Sequence, residues 1–409
     1  MNSIFREFSA RGARLVSSEA SKAGFSTADP EWINLGQGQP ELGELPGAPP
    51  RIEQIHIEQG DYGYGPVDGL RDLKARVAEH YNRLYRNGMP SKFTAENVAI
   101  AAGGRVALLR ILAALKQVKL GVFSPDYMAF EDAIDSFSRI SPKVLELSEQ
   151  DGFAIPLAEV CREVSSAALN ALLLSNPCNP SGNIIWGDEL KRLISECQSS
   201  GCALILDEYY SQYIWKEDLA RVSAAAFIDD INNSDCIIID GITKNFRYPG
   251  FRLGWILARQ ELIKRFTAVG SFLDGGPPTP TQRAALQILD PASADRESAA
   301  VRQVFREKRD FAVERLKQLG VVIPSIPMGT FYVFGSLRNF PPQINSGLGF
   351  FKQALECKIV SVPGGFFDLD PGGGRQGPSR LESYIRFSFG SPLDVLRVGF
   401  DRMQSMIRG

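Results

Sequence analysis

The chain has 409 residues, enough for roughly two or three domains at about 150 residues each. Its 44% hydrophobic and 22% charged residues suit a globular protein that buries its own core. With 45 basic against 47 acidic side chains, the net charge of −2 excludes a broad polycationic face, and with it nucleic acid as the main partner.

Six cysteines, at 161, 178, 197, 202, 236 and 357, form no CxxC pair, and His56 and His80 are the two histidines. A structural zinc site needs four clustered ligands, so no metal is expected. The cysteines are too sparse for a disulfide scaffold, which points to a reducing compartment, the cytoplasm. The opening MNSIFREFSARGARLVSSEA lacks the unbroken apolar stretch of a secretory leader. No run approaches the ~18 apolar residues of a membrane span, so no membrane partner is expected.

Short apolar runs recur along the chain, each with a turn and a helix-like stretch behind it. Asn97–Ala102 leads through Gly103-Gly104 into VALLRILAALKQV. Leu120–Phe123, Ala171–Leu174, Cys202–Leu206, Cys236–Ile239 and Gly254–Ala258 are further strand candidates. They are near-continuous rather than alternating, as strands covered on both faces are. The pattern predicts an α/β three-layer sandwich with a mostly parallel central sheet. From residue 286 the character changes. A charged helix, RESAAVRQVFREKRDFAVERLKQLG, stops at Gly320, and strand-like VVIPS, GTFYVF, KIVSV and YIRFSF follow. We therefore expect a large domain over 49–285 and a smaller α+β domain over 286–409; residues 1–48 precede the first α/β unit, could pack against either part, and are placed with the smaller domain.

Ligands of parallel sheets sit beyond the carboxyl ends of the strands. Ser175-Asn176-Pro177-Cys178-Asn179-Pro180-Ser181-Gly182 follows one strand, Asp207-Glu208-Tyr209-Tyr210 the next, and Asp240-Gly241-Ile242-Thr243-Lys244-Asn245 a third. Arg252 lies eight positions beyond Lys244. Each alone has an ordinary reading: the aspartate a cap, the lysine a solvated cation, the two Asn-Pro pairs a turn. Their succession at neighbouring strand ends is what carries weight.

That succession resembles the class I/II aminotransferases, the pyridoxal-phosphate enzymes of fold type I. NPCNPSG, DEYY and TKNFRYPGFRLGW carry the likeness, with 37 positions from Asp207 to Lys244. INLGQGQPELG, YGYGPVDGLRDLK, AAGGRVALLRIL, SPDYMAFED and YIRFSFG extend it over nearly the whole chain. The resemblance implies pyridoxal 5'-phosphate joined to Lys244 as a Schiff base, with Lys244 then carrying the proton from the substrate's Cα. It implies Asp207 against the pyridine nitrogen, Asn179 and Tyr210 as donors to the ring oxygen, and Tyr127 stacked on the ring. Gly103, Gly104 and Thr243 would cradle the phosphate with Arg252, Arg105 pointing either there or to solvent. Many relatives carry serine three positions before the lysine, where this chain has Gly241. Arg386 would grip the α-carboxylate, helped by Asn179 and the Gly38 N–H. Tyr64 would reach the phosphate of a neighbouring subunit, implying a homodimer. The implied reaction moves the amino group of an L-amino acid to a 2-oxo acid. The alternative on the same scaffold is a lyase, cyclase or oxidase acting on an amino acid, a reading that Gly241 and SFLDGGPPTPTQ keep open.

Overall fold

The computed structural model describes residues 11–166 and 168–408. The first ten residues of the stretch examined for a leader lie outside the described residues. In chain order the strands are β1 (Ile33–Asn34), β2 (Val98–Ala101), β3 (Val118–Ser124), β4 (Ile140–Glu146), β5 (Ala171–Ser175), β6 (Ala203–Asp207), β7 (Cys236–Gly241), β8 (Gly254–Leu257), β9 (Tyr332–Ser336), β10 (Ile359–Val360), β11 (Val362–Pro363) and β12 (Tyr384–Ser388). The helices are α1 (Gly12–Lys22), α2 (Arg71–Tyr85), α3 (Gly104–Ala114), α4 (Ala129–Ile134), α5 (Leu157–Ser165), α6 (Gly187–Ser199), α7 (Gln260–Leu273), α8 (Thr279–Ile288), α9 (Pro291–Gln318), α10 (Gly347–Glu356) and α11 (Leu393–Arg408).

A seven-stranded sheet runs in the order β2-β8-β7-β6-β5-β3-β4. Every pairing is parallel except those of β8, which runs antiparallel to β2 and β7. The side chains alternate between two cores. Leu173, Ile205, Ile237 and Ile239 join α3 and α7 on one face, through Ala107, Ile111, Ile263 and Phe266. Leu172, Leu174, Leu204 and Ile238 join α2, α5 and α6 on the other, through Leu73, Val77, Val164, Leu190 and Leu193. Both faces are apolar because both are covered, which is why these strands read as unbroken hydrophobic runs. The expected three-layer α/β architecture is the one observed.

A three-stranded antiparallel sheet, β11-β12-β9, and a short parallel pair, β1-β10, build the smaller part. Ile33 pairs with Ile359 and Asn34 with Val360, so the N-terminal segment joins the C-terminal one. Ala20 and Trp32 pack with Phe351, Leu355 and Val360 there.

Three details differ from the sequence reading. β4 was not anticipated. It is an edge strand, ISPKVLE, bonded only to β3, and an edge tolerates its proline and lysine. VVIPS is not a strand; only Val322 makes a bridge, to Ser336. The long helix starts at Pro291 rather than Arg296, because the Asp290 side chain accepts from the N–H groups of Ala292 and Ser293 and proline suits the first turn. Among the described residues, no helix is long and apolar enough to cross a membrane.

Candidate active site

β3, β5, β6 and β7 end on one edge of the sheet, level with the end of β2 and the start of β8. Ser175 pairs with Asp207, Gly241 with Gly254, and Ala101 with Gly254. The segments leaving this edge hold most of the expected residues. Lys244 lies three positions beyond β7, in a turn whose Arg247 N–H donates to the Lys244 carbonyl at 3.0 Å. The Tyr213 hydroxyl donates to the same oxygen at 3.0 Å. Lys244 Nζ donates to the Gly38 carbonyl. Burial first, then the charges of Arg386, Arg252 and Arg105, bring the amine down from 10.5 to about 7, with Asp207 opposing. A lysine at this depth is half neutral near pH 7.

Asp207 closes β6, and its Oδ1 accepts the Tyr209 N–H at 3.3 Å. Burial raises its carboxyl to about 6, against that hydrogen bond and the Lys244 charge. It stands apart from a second aspartate, Asp240, which accepts from the Tyr81 hydroxyl at 2.9 Å and from Asn245 Nδ2 at 3.0 and 3.1 Å. Asp240 and Asn245 brace the backbone beside Lys244 from inside the core. The sequence reading quoted both in the strand-end run but gave neither a role, although Asn245 follows the lysine directly.

Asp126 is another buried brace. It accepts from the Ser175 side chain and, at 2.7 Å, from the Tyr127 N–H. Ser175 Oγ in turn accepts the Asn179 N–H at 3.0 Å. One carboxylate therefore orients both Tyr127 and Asn179. It lies within SPDYMAFED, quoted only for its tyrosine.

Arg386, on β12, is 4% exposed. Its Nη1 donates to Asn179 Oδ1 at 2.8 Å and its Nη2 to the Gly36 carbonyl at 2.6 Å. Its Nε has no partner. The guanidinium lies against the rings of Tyr332, 4.0 Å from the centroid, and Phe367, at 4.9 Å. Of the five N–H groups a guanidinium carries, three stay available for a carboxylate. The hydroxyls of Tyr210 and Tyr332 share a hydrogen bond at 2.7 Å. Only one of the two can donate within that pair, so the other keeps an O–H for a third group. The sequence reading assigned Tyr332 no role of its own, and its proximity to Arg386 and Tyr210 is what brings it into the site.

Gly103 precedes α3 with φ of 92°, a conformation that favours glycine. A Cβ there would fall 2.6 Å from Arg252 Nη2, so the arginine lies directly on the glycine turn. Thr243 is buried, its side chain close to the Tyr209 phenol. Arg105 is exposed, yet it turns toward the cleft: its Nε donates to the Tyr127 hydroxyl at 3.2 Å. Tyr64 is fully exposed and takes no part in this cleft within one protomer.

The family model for aminotransferase class I and II matches residues 30–398. The chain belongs to that family. An aspartate aminotransferase of Sulfurisphaera tokodaii is 25% identical over 386 residues, 92% of this chain and 90% of that one. A probable aspartate/prephenate aminotransferase of Aquifex aeolicus is 26% identical over 342 residues, covering 82% and 84%. The solved structure of Thermus thermophilus aspartate aminotransferase with maleate shares the fold, with a TM-score of 0.79 at 22% identity over 98% of this chain and all of that one.

As a member of this family the chain is a pyridoxal-phosphate-dependent aminotransferase. The donors present fit that group: a buried amine poised near neutrality, a buried carboxylate, and a glycine turn at a helix start flanked by Thr243 and Arg252. One consequence is measurable. Below pH 7 the Lys244 amine is protonated and cannot attack an aldehyde; above it the neutral form dominates. The cofactor-free aminotransferase is therefore expected to take up pyridoxal phosphate at a rate that rises through pH of about 7, followed by stopped-flow absorbance. A rise deferred to the ordinary lysine range contradicts this electrostatic reading.

Proposed function

We propose that this aminotransferase carries pyridoxal phosphate on Lys244 and transfers the amino group of an L-amino acid to a 2-oxo acid. The observation that carries the reading is the meeting of Lys244, Asp207 and Arg386 around one cleft, with the amine brought to about 7. When bound, the cofactor supplies an aldehyde for the amino group and an electron-withdrawing ring.

The chain's own residues do the rest. Lys244 Nζ, half neutral near pH 7, would take the proton from the substrate's Cα. Asp207 holds the ring nitrogen; a charge pair at 4 Å gives ~1 kcal/mol in water but about 4 at an effective dielectric of 20, so its burial matters. Tyr210 and the Asn179 amide would hold the ring oxygen, and Tyr127, oriented by Asp126, would lie against the ring. Gly103, Gly104, Thr243 and Arg252 would hold the phosphate, and Arg105 positions Tyr127. Arg386 grips the α-carboxylate against Tyr332. Of Gly38, the carbonyl facing Lys244 is the group the geometry supports, and its N–H stays a candidate for the carboxylate.

We read residues 49–285 as the domain that holds the cofactor. Residues 1–48 with 286–409 form the domain that delivers Arg386, Tyr332 and Gly38. Tyr64 completes the phosphate site of a second copy in a homodimer. Mixing a Lys244→Ala protein with a Tyr64→Ala protein should then recover activity, since one hybrid site is intact; no recovery on subunit exchange contradicts the shared site. The six free thiols suit the cytosol.

The reaction is tested by supplying each of the twenty amino acids with 2-oxoglutarate and measuring glutamate. Glutamate from one or more donors is expected. Ammonia or a cyclised product without glutamate points to the lyase or cyclase alternative, and no turnover with any donor contradicts the assignment.

A further inference from the structure

Tyr209 sits between Asp207 and Tyr210 and is 7% exposed. Its hydroxyl has no hydrogen-bond partner. Three glycines make room for its ring. A Cβ on Gly104 would lie 2.7 Å from the Tyr209 Cζ and 2.8 Å from its hydroxyl. A Cβ on Gly241 would lie 2.6 Å from the hydroxyl, and one on Gly254 would collide with it while standing 3.2 Å from the Gly104 nitrogen. The hydroxyl and the Gly104 N–H therefore flank the same point, at the start of α3.

Two backbone carbonyls also border that point, Leu253 at 2.6 Å from a Cβ on Gly241 and Asp240 at 3.0 Å from one on Gly254, but neither makes a hydrogen bond with the phenol, and the Leu253 oxygen already accepts the Ile242 N–H at 3.3 Å. The first N–H groups of a helix have no partner within it and carry its positive end. Arg252 lies on the adjoining Gly103 turn, and its charge, with the Thr243 hydroxyl within hydrogen-bonding reach though not in bonding geometry, lowers the Tyr209 phenol's affinity for its proton. Burial outweighs them and holds the phenol protonated, so it stays a donor. A buried unpaired hydroxyl is costly, and here it lies beside the Gly104 N–H and close to the Arg252 charge. An anion with several acceptor oxygens would satisfy the whole set. Gly241 itself offers no side chain, and the space a side chain there would enter is filled by the Tyr209 hydroxyl.

We propose that Tyr209 donates a hydrogen bond to the cofactor's phosphate, supplying from β6 the hydroxyl that position 241 at the end of β7 lacks. This rests on the cofactor assignment above. It makes Gly104, Gly241 and Gly254 one packing set whose purpose is to seat the phenol.

The test is titration of cofactor-free wild type and Tyr209→Phe with pyridoxal phosphate and with pyridoxal, which lacks the phosphate. The phenylalanine ring keeps the packing, and the hydroxyl removed makes no well-formed hydrogen bond without cofactor, so the cofactor-free variant should melt close to wild type. Loss of a charge-assisted hydrogen bond predicts about 10- to 100-fold weaker binding of pyridoxal phosphate, with pyridoxal binding unchanged within about threefold. Gly241→Ser combined with Tyr209→Val should bind pyridoxal phosphate more tightly than Tyr209→Val alone. Equal affinity of Tyr209→Phe and wild type for pyridoxal phosphate overturns the proposal and leaves the cofactor assignment standing. Equal weakening toward both ligands also overturns it, in favour of a packing role. A wild type that takes up no pyridoxal phosphate overturns both.

Discussion

Lys244→Ala is expected to lower amino transfer by about 10⁴-fold or more, since proton transfer by a positioned group alone contributes ~10²–10⁴. The effect should fall on kcat, because the role proposed for Lys244 is on the reacting atoms and Arg386 is left in place for the substrate. Lys244→Arg should not rescue it. A guanidinium stays protonated, whereas the lysine amine reaches about 7 under burial and three neighbouring arginines. Measured as single-turnover rates at saturating amino acid, a loss under tenfold would contradict the role given to Lys244.

Arg386→Lys should cost the grip on the α-carboxylate. Truncating one partner of a buried hydrogen-bonded charge pair costs ~2–5 kcal/mol, so kcat/KM should fall about 30- to 4000-fold. Lysine keeps the charge but lacks the fork. It cannot hold the Asn179 Oδ1 and Gly36 carbonyl at 2.8 and 2.6 Å while keeping donors for the substrate. Nor can it lie flat against Tyr332 and Phe367. The loss should appear mainly in KM, and the preference for an amino acid over its decarboxylated amine should shrink. A variant that discriminates between those two substrates as wild type does would place the carboxylate elsewhere.

Much of this site lies open in the primary structure because a parallel sheet presents its chemistry at strand ends. Each buried strand is an unbroken apolar run, so its end is marked by the first polar residue, as at Ser175, Asp207 and Asp240. Strand direction leaves no such mark. β8 is as apolar as its neighbours, and only pairing reveals it as antiparallel. β4 was hidden for the opposite reason: at the edge its burial is partial, and ISPKVLE carries no continuous run. Tyr332 and Tyr209 stayed hidden because their roles come from tertiary approach. Tyr332 meets Tyr210 and Arg386 across the cleft, and Tyr209 reaches the start of α3 through space that three distant glycines leave free.

Borohydride reduction of the holoenzyme, followed by peptide mapping, tests the central claim most directly. The account predicts one pyridoxyl label per chain, on the peptide bearing Lys244. A label on another lysine, or none, would contradict it.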